Sequence, residues 1–578
     1  MEQITSSPSD AFRVRADGFR ATLEQAADGD VTILTLRLAA DVPTVPSDVL
    51  LTFDRFVPDV FATWTPDAVD FHAVRPDWSK TCCDSRSASG APILSLLAQG
   101  GENRLTVSLS DAAQPCRIAV GLCEETARFG FALTFFTART HAVCSYCVQI
   151  RLDARRIPFF CAIRSAREMW DRIYPPCSVP DGAREPLYSC WYSLHQEVFA
   201  EDVLRECALA APYGMRTVIL DDGWQTDDNN RGYAYCGDWR LATKKIPDMA
   251  ALADAVHALG MRFMIWYSVP FVGIHSENYA RFCGKYLSAD ASQEWFTLDP
   301  RFAECRAFLR DTYLTAARAW HLDGLKLDFI DSFSLTEMSS KDYAHMDHVS
   351  LEDAVQALLQ EVTDALHAYD PDFLIEFRQS YIGPVMRRFG NMLRVGDCPG
   401  AAAVNRAGSI TLRLLCGQTA VHSDMVMWNT AESPQTAADQ ITAVLYCVPQ
   451  ISVRLESLPP THRKMLRFYL DFWTQHRRIL LDGALTAEDP EVGYSLVRAE
   501  RDGEAVITTY LRRFVSLADL RCGTLVNASA FDTLLLDAPQ PIAYRVSDCM
   551  GEPVAEGAGQ GLLRIPVPHS GMLFFALQ

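Results

Sequence analysis

The sequence has no excess of positive charge. Its 53 Lys and Arg face 72 Asp and Glu, a formal net charge of −19. Binding a phosphate backbone needs clustered Lys and Arg, so the balance argues against a nucleic-acid partner. No stretch is apolar for long enough to span a bilayer, which argues against a membrane partner. The polar start, Met1 to Asp10, lacks a basic-then-apolar leader. A soluble, cytoplasmic protein is the expectation. Short-period repeats and low-complexity tracts are missing too, and residues 1 to about 180 lack long helical periodicity.

Cysteine is plentiful, at 18 residues, but its pairing signals are thin. Cys144 and Cys147 have metal-ligand spacing, yet no second pair follows at zinc-finger distance. No metal site is expected there, and adjacent Cys82 and Cys83 make a poor disulfide. Cys147, Cys161, Cys190, Cys416 and Cys447 sit in apolar runs and are expected as small buried hydrophobes.

What is present is ample apolar content, 49% hydrophobic residues, enough for large cores in a chain of two to four domains. Residues 1–180 read as a β-sandwich of short strands, among them Val31–Leu38, Val49–Phe53, Arg104–Leu109, Arg117–Gly121 and Phe129–Phe135. Such a domain is placed to lend a loop to a neighbouring site. Residues 181–478 alternate strand and helix eight times, which predicts a (β/α)8 TIM barrel. Its weak point is the connection from Phe377 to Met392, too short for more than a stub of helix. Residues 479–578 return to a β pattern and are expected as a smaller C-terminal sandwich.

The chain is organised around Leu325-Lys326-Leu327-Asp328-Phe329-Ile330-Asp331. An apolar run bounded by Gly324 predicts a buried parallel strand. A buried strand has no structural need of an acid at its C-terminal edge, but a barrel builds its chemistry there. Asp328 can serve as a nucleophile or as a cap for the next helix. Asp221 and Asp222 end the predicted second strand, and Asp397 ends the sixth. Even-numbered strands point their side chains into the same layers, so these acids can meet. Two carboxyls flanking one glycosidic bond are the equipment of glycoside hydrolysis. One attacks the anomeric carbon, while the other protonates the leaving oxygen and then activates water.

The two need different environments. Lys326, two residues before Asp328, shares its face of the strand and favours its charged form. Asp397 lies in Gly396-Asp397-Cys398-Pro399-Gly400, a turn with no basic residue beside it, and a raised pKa is expected. An ordinary turn aspartate is the alternative. Trp191, Trp224, Tyr233, Tyr235, Trp239 and Trp266 near strand ends offer flat faces for a sugar, or core packing. His195, His422 and Asp424 lie near strand ends as further candidates.

The motifs Leu220-Asp221-Asp222-Gly223-Trp224-Gln225, Gly237-Asp238-Trp239 and Lys326-Leu327-Asp328 together resemble the α-galactosidases and raffinose synthases of glycoside hydrolase family 36, in a clan with families 27 and 31. The resemblance covers roughly 185–475, and the flanking β domains fit that layout. It implies a nucleophile at Asp328 and an acid/base at Asp397. It implies that Asp221 and Asp222 hold hydroxyls O4 and O6 of a galactose-like ring and that Lys326 holds a neighbouring one. Trp191 and Trp266 would wall the pocket, and no cofactor is implied.

Three places depart from the family. Glu376-Phe377-Arg378-Gln379-Ser380 stands where Cys-Ser-Gly-Gly is common, Gln293 stands about where an arginine is common, and Tyr267-Ser268-Val269-Pro270 replaces Glu-Pro. Arg378 is thus a candidate for an anionic or unusually substituted sugar, or for a salt bridge to Glu376 or a rim acid. The expected function is a retaining exo-α-glycosidase, foremost an α-galactosidase, acting on a carbohydrate. An α-N-acetylgalactosaminidase, a transglycosylase and a non-catalytic carbohydrate-binding protein are the alternatives, and assembly into a homo-oligomer is left open.

Overall fold

The computed structural model describes residues 3–6, 11–47, 49–67, 72–378, 381 and 383–578. Most of the polar start and Gln379 and Ser380 lie outside the described residues. Two six-stranded antiparallel sheets come first. Strand Arg128–Phe135 alternates half-buried and buried residues along its length, the period expected of a strand with one face on a core. Leu36, Phe53, Phe131 and Ile150 share the core between the sheets, with the rings of Phe53 and Phe131 stacked at 4.7 Å.

One element in this region was not expected, helix α1 (Phe159–Ile173). It buries Phe159, Ala162, Ile163, Ala166 and Trp170, a stripe at helical spacing. Two of the five are alanines, so the stripe is inconspicuous in the sequence. The Trp170 indole donates to the Leu109 carbonyl at 2.8 Å and ties the helix to the sandwich.

Eight parallel strands then form the barrel: β1 (Leu187–Ser189), β2 (Thr217–Leu220), β3 (Arg262–Ser268), β4 (Gly324–Asp328), β5 (Leu374–Arg378), β6 (Met392–Arg394), β7 (Ala420–His422) and β8 (Gln450–Ile451). They pair in the order 7-6-5-4-3-2-1-8. A parallel bridge from His422 to Val448 closes the circle. Trp191, expected at the end of β1, instead starts a short helix, Trp191–Leu194. The covering helices are α2 (Ala200–Ala210), α3 (Met249–Ala258), α4 (Ala303–Ala319), α5 (Leu351–Tyr369), α6 (Ala402–Cys416), α7 (Pro434–Thr442) and α8 (Pro460–Asp482). Helix α5 starts where Ser350 accepts from the Asp353 N–H, a side-chain N-cap. Among the described residues, only the 3₁₀ turn Met386–Arg388 lies between β5 and β6. No helix among the described residues is long and apolar enough to cross a membrane.

The last eight strands are hydrogen-bonded into one continuous sheet wrapped around its own core, with Leu496, Ile507, Leu525, Leu536, Ile542 and Phe575 inside. Among these strands, Leu534–Ser547 is bent. Its register shifts between Ala538 and Ile542. All the cysteines are free thiols. Cys190, Cys416 and Cys447 are buried, but Cys147 is exposed because it lies on the outward side of strand Val143–Asp153. No metal-binding cluster occurs among the described residues.

Candidate active site

The site is built at the C-terminal mouth of the barrel. Asp328, the last residue of β4, is buried. Its Oδ1 accepts three hydrogen bonds: from Arg378 Nε at 2.6 Å, from the Phe329 N–H at 2.8 Å and from the Tyr381 hydroxyl at 3.0 Å. Its Oδ2 accepts from Trp266 Nε1 at 3.1 Å. Phe329 turns the chain with φ of 64°, a left-handed conformation rare for a bulky residue and concentrated at functional sites. That turn brings its N–H back onto Asp328. Burial pushes the Asp328 carboxyl up, but Arg378, then Lys326, pull harder, and it sits well below the usual carboxylate range.

Lys326, the expected stabiliser of Asp328, acts on it through charge alone. Its Nζ donates instead to Asp221 Oδ2 at 2.6 Å. Asp221 Oδ1 in turn accepts from the Asp222 N–H at 2.9 Å. Asp222 accepts from Gln196 Nε2 at 2.7 Å and Gln225 Nε2 at 2.6 Å. Burial nevertheless pushes its carboxyl up to about 6. The glycine of Asp-Asp-Gly-Trp is required by space and angle. Gly223 has φ of 115°, and a Cβ there would meet the Gln196 Cα at 2.6 Å.

Asp397 lies three residues beyond β6 with its side chain 52% exposed. The expectation of a raised pKa without a basic neighbour is corrected. Arg394, the last residue of β6, reaches over the turn and donates to Asp397 Oδ1 at 2.8 Å. Burial raises the carboxyl, but Arg394 and then Lys326 hold it below its ordinary value, with Asp328 opposing them. The charges of Asp328 and Asp397 therefore act on one another across the mouth.

Arg394 is one of the residues the sequence reading missed. Its guanidinium is buried and also pairs with Asp424 at 2.6 Å and Glu376 at 3.6 Å. Asp424 takes further hydrogen bonds from Tyr192 and the Cys398 N–H. The signal was the one that singled out Asp328, since Arg394 and Glu376 are charged residues inside short buried strands. Gln196 and Tyr381 lie in loops and carry no such signal.

The aromatic candidates divide. Trp266 touches Asp328, and Tyr233 lies alongside it with ring centroids 6.1 Å apart. Trp191 is half-buried and packs edge-on against His195. Trp224, expected at the sugar, is fully buried and donates to the Trp266 carbonyl at 2.8 Å. With Trp239 and Trp320 it forms the packing behind the wall. Tyr235 is exposed and stacks on His275. His422 is fully buried, held by the Ala183 carbonyl, and burial pushes its imidazole down to about 4. His422 and Asp424 are thus interior supports, whereas His195 is half-buried.

Of the two readings of Arg378, the salt bridge to a rim acid is the one present, with Asp328 at 2.6 Å and Asp331 at 3.5 Å rather than with Glu376. The sandwich does reach this rim. Arg86 donates to the carbonyls of Asp331 and Phe333, bracing the loop after β4, and Ser87 donates to Glu352 in the first turn of α5.

The family model Melibiase matches residues 182–298. The α-galactosidase AgaA of Geobacillus stearothermophilus is 32% identical over 104 residues, 18% of this chain and 14% of that protein. The A type blood α-D-galactosamine galactosaminidase of Flavonifractor plautii is 25% identical over 178 residues, 28% of this chain and 16% of that protein. The matched segments thus span a small part of these relatives' length. In three dimensions, a family 36 AgaA structure with 1-deoxygalactonojirimycin aligns with a TM-score of 0.69 at 15% identity, covering 99% of this chain and 83% of that one. The α-galactosidase of Thermus thermophilus aligns at 0.57 and 16% identity, covering 86% and 98%. These structures share the fold.

Proposed function

We propose that this protein, which resembles the α-galactosidases of glycoside hydrolase family 36 in motifs and in fold, is a retaining exo-α-glycosidase acting on terminal α-linked galactose-like sugars. The observation that carries the reading is the state of Asp328. It is a buried carboxylate at the end of a barrel strand, kept ionised by Arg378 and Lys326, with Oδ2 bound by a single indole N–H. A carboxylate oxygen accepts more than one hydrogen bond, so Oδ2 keeps an electron pair for an anomeric carbon.

In the first step Oδ2 of Asp328 forms a bond to the anomeric carbon, and the bond from that carbon to the aglycone oxygen breaks. Asp397 gives its proton to the departing oxygen. In the second step water attacks the same carbon, Asp397 takes the water proton, and the electron pair of the glycosyl–Asp328 bond returns to the carboxylate. Asp397 is half-exposed and paired with Arg394 in the free protein, so it takes up its proton as bound substrate covers it and withdraws it from water. Asp221, Asp222 and Lys326 are placed to hold ring hydroxyls, with Trp266 and Trp191 as apolar walls. Direct hydrogen bonds from buried polar groups discriminate between epimers far more strongly than an apolar surface does.

A second reading shares the chemistry and changes the sugar. The relative named as a galactosaminidase gives the longer of the two alignments above, and the Cys-Ser-Gly-Gly run common beside the C2 substituent is absent here. An α-glycosidase for a galactose-type sugar with a nitrogen at C2, such as an α-N-acetylgalactosaminidase, is the alternative. Aryl α-galactoside, α-N-acetylgalactosaminide, α-glucoside and α-xyloside should be compared side by side. The highest kcat/KM is expected on the galactoside with release of α-configured sugar, and turnover of none of the four would end the reading.

A further inference from the structure

We infer that Arg378 is a positioning residue of the second chemical step, holding Oδ1 of Asp328 so that the carboxylate leaves the glycosyl intermediate readily. The inference rests on the glycosidase reading above and assigns a task to an arginine that the sequence left between a sugar contact and a salt bridge. Arg378 ends β5, the strand next to β4. Its Nε lies 2.6 Å from Oδ1 of Asp328, and its guanidinium is flanked by the rings of Phe329 and Tyr381, at 5.1 and 5.4 Å. The single Tyr381 hydroxyl proton is shared between the same Oδ1 at 3.0 Å and the Leu327 carbonyl at 3.1 Å. The cation is thus fixed on two sides and aimed at one oxygen of the nucleophile.

That placement affects the two steps oppositely. The hydrogen bonds to Oδ1 are strongest while Asp328 carries full charge. In the first step the carboxylate gives up charge to the new bond at Oδ2, so part of this stabilisation is lost on the way to the transition state. In the second step the bond between Oδ2 and the anomeric carbon breaks and the charge returns to the carboxylate, so stabilisation is gained as the transition state is approached. Arg378 makes Asp328 a more stable anion, hence a weaker nucleophile and a better leaving group. It also reserves Oδ2 for attack, since three donors already occupy Oδ1.

Pre-steady-state release of p-nitrophenol from p-nitrophenyl α-D-galactopyranoside separates the steps. Arg378→Met is expected to show a burst of about one equivalent per active site. Its steady-state rate should fall roughly 10- to 100-fold, the worth of one charge-assisted hydrogen bond, while the burst phase is unchanged or faster. Arg378→Lys keeps the charge but loses the planar fork, so it should restore part of the steady-state rate. Tyr381→Phe should show a smaller burst effect in the same direction, as a check if the methionine variant folds poorly. An equal fall of both phases, or a raised KM without a burst, would overturn the inference and make Arg378 a substrate-binding or structural residue. An absence of turnover by the parent protein, on this and the other aryl α-glycosides, would instead remove the reading on which it rests.

Discussion

Two carboxyls at the same barrel mouth are held in different ways. Asp328 is buried on the last residue of a strand, with four donors on its two oxygens and three cations, Arg378, Lys326 and Arg394, acting on it. Asp397 lies beyond its strand on a turn, half-exposed, with one arginine for a partner. The first arrangement suits a group that stays ionised and must not move. The second suits a group whose protonation has to change twice in a cycle, because solvent and substrate can reach it. The barrel thus offers two grades of rigidity within one ring of strand ends, depending on whether the acid ends the strand or follows it.

The contrast can be broken from the Asp328 side first. Asp328→Asn should lower kcat by at least about 10⁴-fold with the thermal midpoint little changed, measured by aryl galactoside hydrolysis and a melting curve. A variant with parental turnover contradicts the role. Next in size is Asp397→Ala. A general acid contributes about 10²–10⁴-fold, so hydrolysis of an unactivated disaccharide should fall by that much. An activated aryl glycoside, whose leaving group needs little protonation, should keep most of its first-step rate. Equal losses on both substrates would count against the acid role.

Arg394→Met tests what separates the two groups. Removing one partner from a buried charged network costs stability, so the midpoint should drop. With its cation gone Asp397 retains a proton to higher pH, and the alkaline limb of kcat/KM should move upward; an unmoved limb would detach Arg394 from the acid. The smallest effect concerns Asp222, whose folded-state carboxyl at about 6 lies above its ordinary 3.8. Between those values the folded state holds a proton that the unfolded chain has released, so stability falls as pH rises through this window and levels off above it. The parent should lose thermal stability relative to Asp222→Asn from about pH 4 to 6, and a constant difference would refute the shift.

Much of this was legible in the sequence because barrel strands are short, apolar and regularly spaced. Asp221 and Asp222 directly follow β2, Thr217–Leu220, as expected of the second strand's end, and Asp328 is conspicuous as an acid ending an apolar run. The polar groups that tune the site were harder to see. Arg394 shows as a charge in a short buried strand, but its pairing with Asp397 does not, because the turn that brings the two together is a tertiary fact. Trp224 and Trp266 look alike in the sequence, since both are tryptophans near predicted strand ends. Which of them faces the pocket depends on the chain direction after Gly223, where the left-handed glycine sends Trp224 behind the wall. Helix α1 was hidden by its alanines, which bury as well as leucines do but leave little hydrophobic contrast.

The most direct test is covalent. The protein should be treated with 5-fluoro-α-galactosyl fluoride, an activated substrate whose intermediate breaks down slowly, then digested and its peptides sequenced by mass spectrometry. A single glycosyl adduct is expected on Asp328, in the peptide that contains Leu325-Lys326-Leu327-Asp328-Phe329. An adduct on another carboxyl, or hydrolysis of the reagent with inversion and no adduct at all, would contradict the central claim that Asp328 is the nucleophile.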